Sequence, residues 1–549
     1  MLTKISKWAT IIFAIFWLFF IALDYWATHA VYSSAIGYFQ FWGLLLLLLG
    51  LCGGLSFWVS RNRNKATPSI LFSGIGIYLL FSSLAFIAVG AQTMQLDIPL
   101  FTGGAYFSVW LNLTLLILGI TLVLVLPAYS IGNFIIKKLN NQILDREETI
   151  VSIAVGLSVL TFLLFMIATF GGLQWFIILP VFLLPAIIFW RNSLAFLQLI
   201  SVNRFAVSKE MNWLGASSLV WLLFFVVTSC LQLVRPYPFG FDALSLYMNL
   251  ASLINDYQGL VAGFQPYNWS LLMSIGYTVF GMTEFALGIS QLGVILSVFA
   301  LYALSRRWLN VNHALLTSLL FYSLPTVIFQ TYKDMKIDMG LLFISLTMMI
   351  VFVNWVAQVV KIEGQIPSLA NLAQANSAST EDNNSSFLKK NNLIITLGIL
   401  AGFAMGIKFT SLFLIFGILG GIWYVHSGKI GLITVFLLSF AILLIGRVDD
   451  MSGARKYHLG ADTLQWILLI GGLILTAMLF VGKREQLLKS MRISVLFGSL
   501  LIISFIHWPV KNAVESEKIS VKALLFGKRT GPGISPIEIQ QNWRAQQGN

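Results

Sequence analysis

Two acidic clusters stand at the ends of apolar runs in this chain. Asp242 opens Phe241-Asp242-Ala243-Leu244-Ser245-Leu246-Tyr247 just beyond one run. Asp334 and Asp338 belong to Tyr332-Lys333-Asp334-Met335-Lys336-Ile337-Asp338, just before another. Lys408 lies between two further apolar runs. A charge in or beside a bilayer is costly, so one that is kept there is a candidate for function. A carboxylate can take up a proton, and a cation can hold an anion such as phosphate. The structural alternatives are a helix N-cap for Asp242 or Asp338 and a snorkelling side chain for Lys408.

Composition says what must position these residues. The chain has 549 residues, of which 58% are hydrophobic and 10% charged. Soluble domains carry about one-quarter charged residues. Apolar runs of roughly 18–22 residues recur along the whole chain, long enough to cross a bilayer as helices. The expected fold is an all-α polytopic membrane protein. The net charge of +13 does not indicate nucleic acid, because Lys and Arg gather in short loops between apolar runs, as the positive-inside rule requires. Cys52 and Cys230 both lie in apolar runs and offer neither a disulfide framework nor metal-ligand spacing. Met1-Leu2-Thr3-Lys4-Ile5-Ser6-Lys7 leads into an apolar run without a small-residue cleavage site, which reads as a retained first helix.

The charge rule orders the spans. Runs near 9–28, 38–58, 68–91, 105–128, 149–170 and 173–190 are separated by basic loops at Arg61–Lys65, Lys137–Arg146 and Arg191–Lys209. With those loops cytoplasmic, a span near 212–233 delivers Arg235 and Asp242 to the outer face. The segment from Pro266 to Gly281 is too short for a comfortable span and is expected as an amphipathic helix in the outer interface. Spans near 285–304 and 313–331 then place Arg306 and Arg307 inside and Lys333 and Asp334 outside. A span near 338–358 returns to a polar cytoplasmic loop over 361–392. Short spans near 393–407 and 410–425 meet at Lys408 on the outer side, and spans near 430–446, 463–481 and 492–507 follow. This makes about fifteen spans. The expected division is 1–210 as an N-terminal six-helix bundle, 211–446 as a membrane core, and 447–549 as C-terminal helices with a short outer tail. On this topology Asp242, Asp334, Asp338 and Lys408 share one face. Lys333, Lys336 and Arg235 add positive charge to that face, against the inside rule, which points to an anionic ligand.

From about Trp213 to Asn512 the chain resembles the GT-C superfamily of polyprenyl-phosphate-sugar-dependent glycosyltransferases. It is most similar to the bacterial branch related to protein mannosyltransferases and the aminoarabinose transferase of lipid A. The resemblance rests on the order of several short elements. These are Asp242 in the first outer loop, a Pro-led helix from Pro266 to Phe280-Gly281, and Glu284-Phe285-Ala286 at the start of a span. Arg306-Arg307, Ser323-Leu324-Pro325 and Asp338 with Asp334 follow. Gly402-Phe403-Ala404-Met405-Gly406-Ile407-Lys408 and Trp508-Pro509-Val510-Lys511-Asn512 complete the series. Two positions depart from the pattern. Ala243 stands where many relatives have a second acid, and the last element exchanges Trp with Pro and has Lys for Arg.

The resemblance implies transfer of a sugar, with inversion, from a polyprenyl-phosphate donor to a glycan, lipid or protein acceptor at the outer face of a bacterial inner membrane. It implies Asp242 as the base, with Asp338 and Asp334 orienting the acceptor or binding a divalent cation. Lys408, Lys333, Lys336, Arg235 and Lys511 are the candidate phosphate ligands. Tyr247, Tyr267 and Trp269 are candidates for the sugar or acceptor pocket, although an interfacial aromatic belt also accounts for them. Two other classes stay open: a transporter or flippase of lipid-linked saccharides, and a GT-C-fold scaffold without catalysis. The first would be marked by broken helices in matched halves, the second by the missing acid at Ala243.

Overall fold

The structure is a computed structural model that describes residues 103–139, 143–201, 211–231, 242–262, 264–332, 336–363, 391–445 and 461–515, with a few isolated positions. The described residues form helices and no strand. The expected spans near 9–28, 38–58 (apart from Gly50) and 68–91 lie outside them.

In chain order α1 is Gly103–Ile120, continued through a π-helical turn (Thr121–Val125) into α2, Leu126–Lys138. Then come α3 (Asp145–Thr169), α4 (Trp175–Ile188), α5 (Trp190–Ser201) and α6 (Trp213–Leu231). A second π-helical turn, Ala243–Tyr247, opens α7 (Met248–Asp256). Next are α8 (Asn268–Phe280), α9 (Thr283–Ser305), α10 (Val311–Tyr322), α11 (Pro325–Tyr332) and α12 (Asp338–Glu363). The rest are α13 (Asn392–Ile407), α14 (Ser411–Ile445), α15 (Ala461–Gly482), α16 (Arg484–Phe505) and α17 (His507–Glu515). Among the described residues, seven helices are long and apolar enough to cross a membrane, or up to nine if each of two bent pairs is one span.

One expected span is broken, and the chain turns sharply at two further places. The run near 313–331 bends by 66° between α10 and α11. Pro325 has no N–H to continue the helix and disfavours helical backbone before it, so Ser323-Leu324 becomes a turn and Pro325 begins a new helix. The run near 173–190 ends at Ile188, and α5 leaves at 82° to α4. Inside α14, Gly428 adopts φ 70° and ψ −157°. A Cβ at Gly420 would meet Leu432 at 3.0 Å, so the two halves of α14 fold against each other as a hairpin. That arrangement agrees with the separate spans expected near 410–425 and 430–446.

Packing centres on α3. Fifteen of its residues are buried, and it touches α2, α8, α9, α12 and α13. It crosses α2 backbone to backbone: a Cβ at Gly132 would sit 1.8 Å from the Ser152 carbonyl, and one at Gly156 1.7 Å from the Ala128 carbonyl. Small residues that permit such approach are how helices associate where lipid removes the hydrophobic drive. One apolar cluster runs from Leu113 through to Trp508. The described part of the 1–210 segment therefore does not stand apart as a bundle of its own; α3 is inside the same core as α9, α12 and α13.

Helix α8 corrects another expectation. Its 13 residues are too few to cross a bilayer, as the sequence implies. Yet Asn268 to Gly276 are all buried among α3, α4, α7, α9 and α13, so it has no broad wet face.

Polar contacts sort into two ends. At one end Glu147 takes Nε and Nη2 of Arg307 at 2.7 and 2.5 Å and Nδ2 of Asn354 at 2.9 Å. Asn392 donates to the Leu139 carbonyl at this end, and the Ser427 and Ser490 hydroxyls meet at 3.1 Å. At the other end are Lys336–Asp242, Lys408–Asp338 and Trp508–Asn268. The sixteen steps along α12 from Asp338 to Asn354 separate the ends by about 24 Å. The grouping is the one the charge rule requires.

The Glu147–Arg307 pair is 0% and 4% exposed. Removing one member of a buried pair strands the other charge, at about 3–5 kcal/mol. Arg307→Met is therefore expected to lower thermal unfolding in detergent sharply, and the double variant Glu147→Leu/Arg307→Met to recover much of the loss. A single variant as stable as the wild type would contradict this role for the pair.

Candidate functional site

Asp242 begins the π-helical turn ahead of α7 and is already helical, with φ −68° and ψ −35°. Its side chain makes no capping bond, so the N-cap alternative does not describe it. π-helical turns are uncommon and cluster at functional sites. The half-exposed carboxylate instead accepts from Lys336 Nζ at 2.6 Å. Two residues further on, Asp338 is the first residue of α12, and its carboxylate accepts from Lys408 Nζ at 2.6 Å. Lys408 is non-helical, φ −161° and ψ 137°, between α13 and α14. The short segment 336–338 thus joins two carboxylate–lysine pairs drawn from three separate parts of the chain.

Several residues hold that segment in place. The Ser290 hydroxyl of α9 donates to the Lys336 carbonyl at 2.8 Å. Its neighbour Gln291 donates to Ser229 at 2.7 Å and to the Tyr322 hydroxyl at 3.3 Å, and Ser229 and Tyr322 also bond to each other. This buried network ties α6 and α9 to the α10–α11 bend. Gln291 had a visible signal, an amide inside an apolar run. Ser290 had none, since serines are common in such runs.

Asn268 anchors the stretch that leads to Lys408. Its Nδ2 donates to the Phe403 carbonyl at 3.1 Å, and its Oδ1 accepts from Trp508 Nε1 at 2.8 Å. Gly406 leaves room for it: a Cβ there would lie 2.0 Å from Asn268 Nδ2. Further along the same stretch, Gly398 and Gly402 lie against Phe497, Leu501 and Ser504 of α16. The Gly402-to-Lys408 stretch is therefore a packing face that delivers Lys408, and the Trp508 element packs onto it through Asn268.

The other expected residues fall in different surroundings. Lys511 is buried, bonded to Glu515 at 2.8 Å, with its ammonium 5.8 Å from the Tyr267 ring centre and 6.0 Å from that of Trp508. Burial pushes the Lys511 ammonium below its usual range, and Glu515 works against that shift. Tyr267 is buried; its hydroxyl accepts from the Val261 N–H at 2.8 Å and donates to the Val261 carbonyl at 3.2 Å. Trp269 is fully buried against Gly340, where a Cβ would come within 2.2 Å of its ring. Both of these aromatics are placed as packing residues. Tyr247 is buried at the end of the π-helical turn. Arg235, Lys333 and Asp334 lie outside the described residues. Among the described residues, no three His, Cys, Asp or Glu side chains gather to hold a metal ion, and the divalent-cation expectation gains no ligand set.

His507 was not singled out by the sequence. Its ring lies 4.4 Å from Phe165, 5.4 Å from Phe162 and 5.7 Å from Trp508. Neither ring nitrogen has a hydrogen-bond partner among the described residues. Burial without a partner pushes its pKa down from 6.5 to about 4. A depressed histidine pKa means that the neutral ring contributes fully above pH 6.5 and its contribution fades as pH falls towards 4. Replacing His507 with Phe should flatten the loss of thermal stability between pH 6.5 and about 4 relative to wild type. Parallel curves for the two proteins would show that the ring is hydrated.

No protein-family model, curated protein or solved structure matches this chain.

Proposed function

We propose that the protein is an integral-membrane glycosyltransferase that moves a sugar from a polyprenyl-phosphate donor to a glycan, lipid or protein acceptor, with inversion. On this reading it has about fifteen spans and a GT-C-like core, and it resides in a bacterial inner membrane with the site on the periplasmic or extracellular side. The observation that carries the reading is the pairing of Asp242 with Lys336 and of Asp338 with Lys408 through one three-residue segment. Inverting transfer to a hydroxyl or amine needs a carboxylate to take the acceptor proton and cations to stabilise the departing phosphate. Both kinds of group stand together here, at the end of the bundle opposite Arg307.

In the proposed reaction the acceptor heteroatom bonds to the anomeric carbon while the bond from that carbon to the donor phosphate oxygen breaks. The phosphate leaves on its lipid, and the acceptor proton goes to Asp242. Lys336 and Lys408 are the natural partners of the phosphate, and both already hold a carboxylate. Donor binding then exchanges each carboxylate for phosphate on the lysine, and this frees Asp242 for the proton. The Ala243 departure favours one other reading, a scaffold of the same fold without turnover.

Asp242→Asn separates these. The amide keeps the size and loses the proton-accepting oxygen, while the exposed ion pair that disappears contributes at most about 1 kcal/mol. Transfer is expected to fall by roughly a hundredfold or more, with expression and unfolding temperature nearly unchanged. Lys408→Met is expected to raise the KM for donor. Wild-type turnover in Asp242→Asn, assayed with polyprenyl-phosphate sugars, would overturn the catalytic assignment.

A further inference from the structure

The end of α2 and the α4–α5 bend form a corner that the sugar-transfer reading does not use. Helix α5 does not splay from the bundle by chance. Phe134 stacks on Phe189 at the bend with ring centres 4.3 Å apart. Asn192 Nδ2 donates to the Ser130 carbonyl at 3.1 Å, Ser193 meets Ser130 at 2.7 Å, and Phe196 packs on Tyr129 at 4.8 Å. These contacts fix an 82° turn out of the direction of α4.

The faces of α5 differ. Ser193 and Phe196 are buried on α2, whereas Trp190, Leu194 and Leu197 form an exposed apolar stripe. Arg191 and Gln198 lie beside that stripe and are also exposed. A short helix turned across the bundle, apolar on one open side and with Arg191 and Gln198 beside it, matches a helix lying in a membrane interface.

The level of the corner agrees. The span ending in α2 runs for 28 residues, Leu111–Lys138, or about 42 Å. The hydrocarbon core is about 30 Å thick. The surplus falls at the polar end, where Asn133, Lys137 and Lys138 stand, and α5 docks on residues 129–134. Lys137, Lys138 and Arg191 are exposed. Lys138 Nζ lies 5.8 Å from the Phe134 ring centre and the Arg191 guanidinium 5.7 Å from that of Trp190. None of the three has a carboxylate partner among the described residues. The nearby Glu148 accepts from Asn133.

We propose that this corner binds the headgroup of an anionic phospholipid, with α5 lying in the plane of the interface on the side of the membrane opposite the Asp242 cluster. Lys137, Lys138 and Arg191 face the headgroup phosphate, and Trp190, Leu194 and Leu197 enter the acyl boundary. The proposal stands independently of sugar transfer.

The test uses the full-length protein in detergent, titrated with fluorescent phosphatidylglycerol and, separately, fluorescent phosphatidylcholine. Wild type should prefer phosphatidylglycerol by roughly tenfold, and Lys137→Gln/Lys138→Gln/Arg191→Gln should reduce the preference to under about twofold. Equal binding of the two lipids by wild type, or an unchanged preference in the triple variant, would overturn the headgroup site. In lipid nanodiscs, a spin label at Leu197→Cys (with Cys52→Ser and Cys230→Ser) should relax more with oxygen than with a water-soluble nickel chelate. The reverse order would overturn the interfacial placement of α5.

Discussion

A charge surrounded by apolar helices and lipid must find a partner, and this chain meets that demand at both ends of the bundle. At one end Glu147 of α3 accepts both the Arg307 fork and the Asn354 amide. Three helices distant in sequence are thereby held in one register. The pair is weak support for stability in its own right, since burying two charges opposes their attraction. Its value is geometric: the bonds of Glu147 to Arg307 and Asn354 tie α3 to the end of α9 and to α12. With those helices aligned, the opposite ends of α9 and α12 bring Ser290, Lys336 and Asp338 to a common level.

The same constraint shapes the far end. The segment 336–338 carries two charges of opposite sign, each answered from another part of the chain. Neither pair is deeply buried, so each can be opened by a ligand that offers better electrostatics. The two ion pairs hold both lysines and both carboxylates in place. The contacts of Tyr267, Asn268 and Trp508 join the start of α8 to α13 and α17.

Much of this was legible in the sequence, for physical reasons. Run length pointed to apolar helices, because the bilayer constrains it, and among the described residues seven to nine are long and apolar enough to cross. Asp242, Asp338 and Lys408 were legible as charges out of place. What could not be read was their pairing, since Lys336 reaches Asp242 across 94 residues and Lys408 reaches Asp338 across 70. Trp269 and Tyr267 looked interfacial because Trp and Tyr favour that level, yet packing on Gly340 and a bond to Val261 claim them. The burial of α8 was hidden for a related reason. Its composition is mixed, and only the surrounding helices decide that every face is covered. The bend at Pro325 had a local signal, whereas that at Phe189 depended on docking against α2.

The central claim is that Lys336 and Lys408 form one anion site with Asp242 and Asp338 beside it. Phosphorus NMR titration of the full-length protein in detergent with citronellyl phosphate, a short prenyl phosphate, tests this most directly. Saturable binding to wild type that is lost in Lys336→Met/Lys408→Met is the result the account requires. Absence of binding to wild type, or equal binding to the double variant, would contradict it.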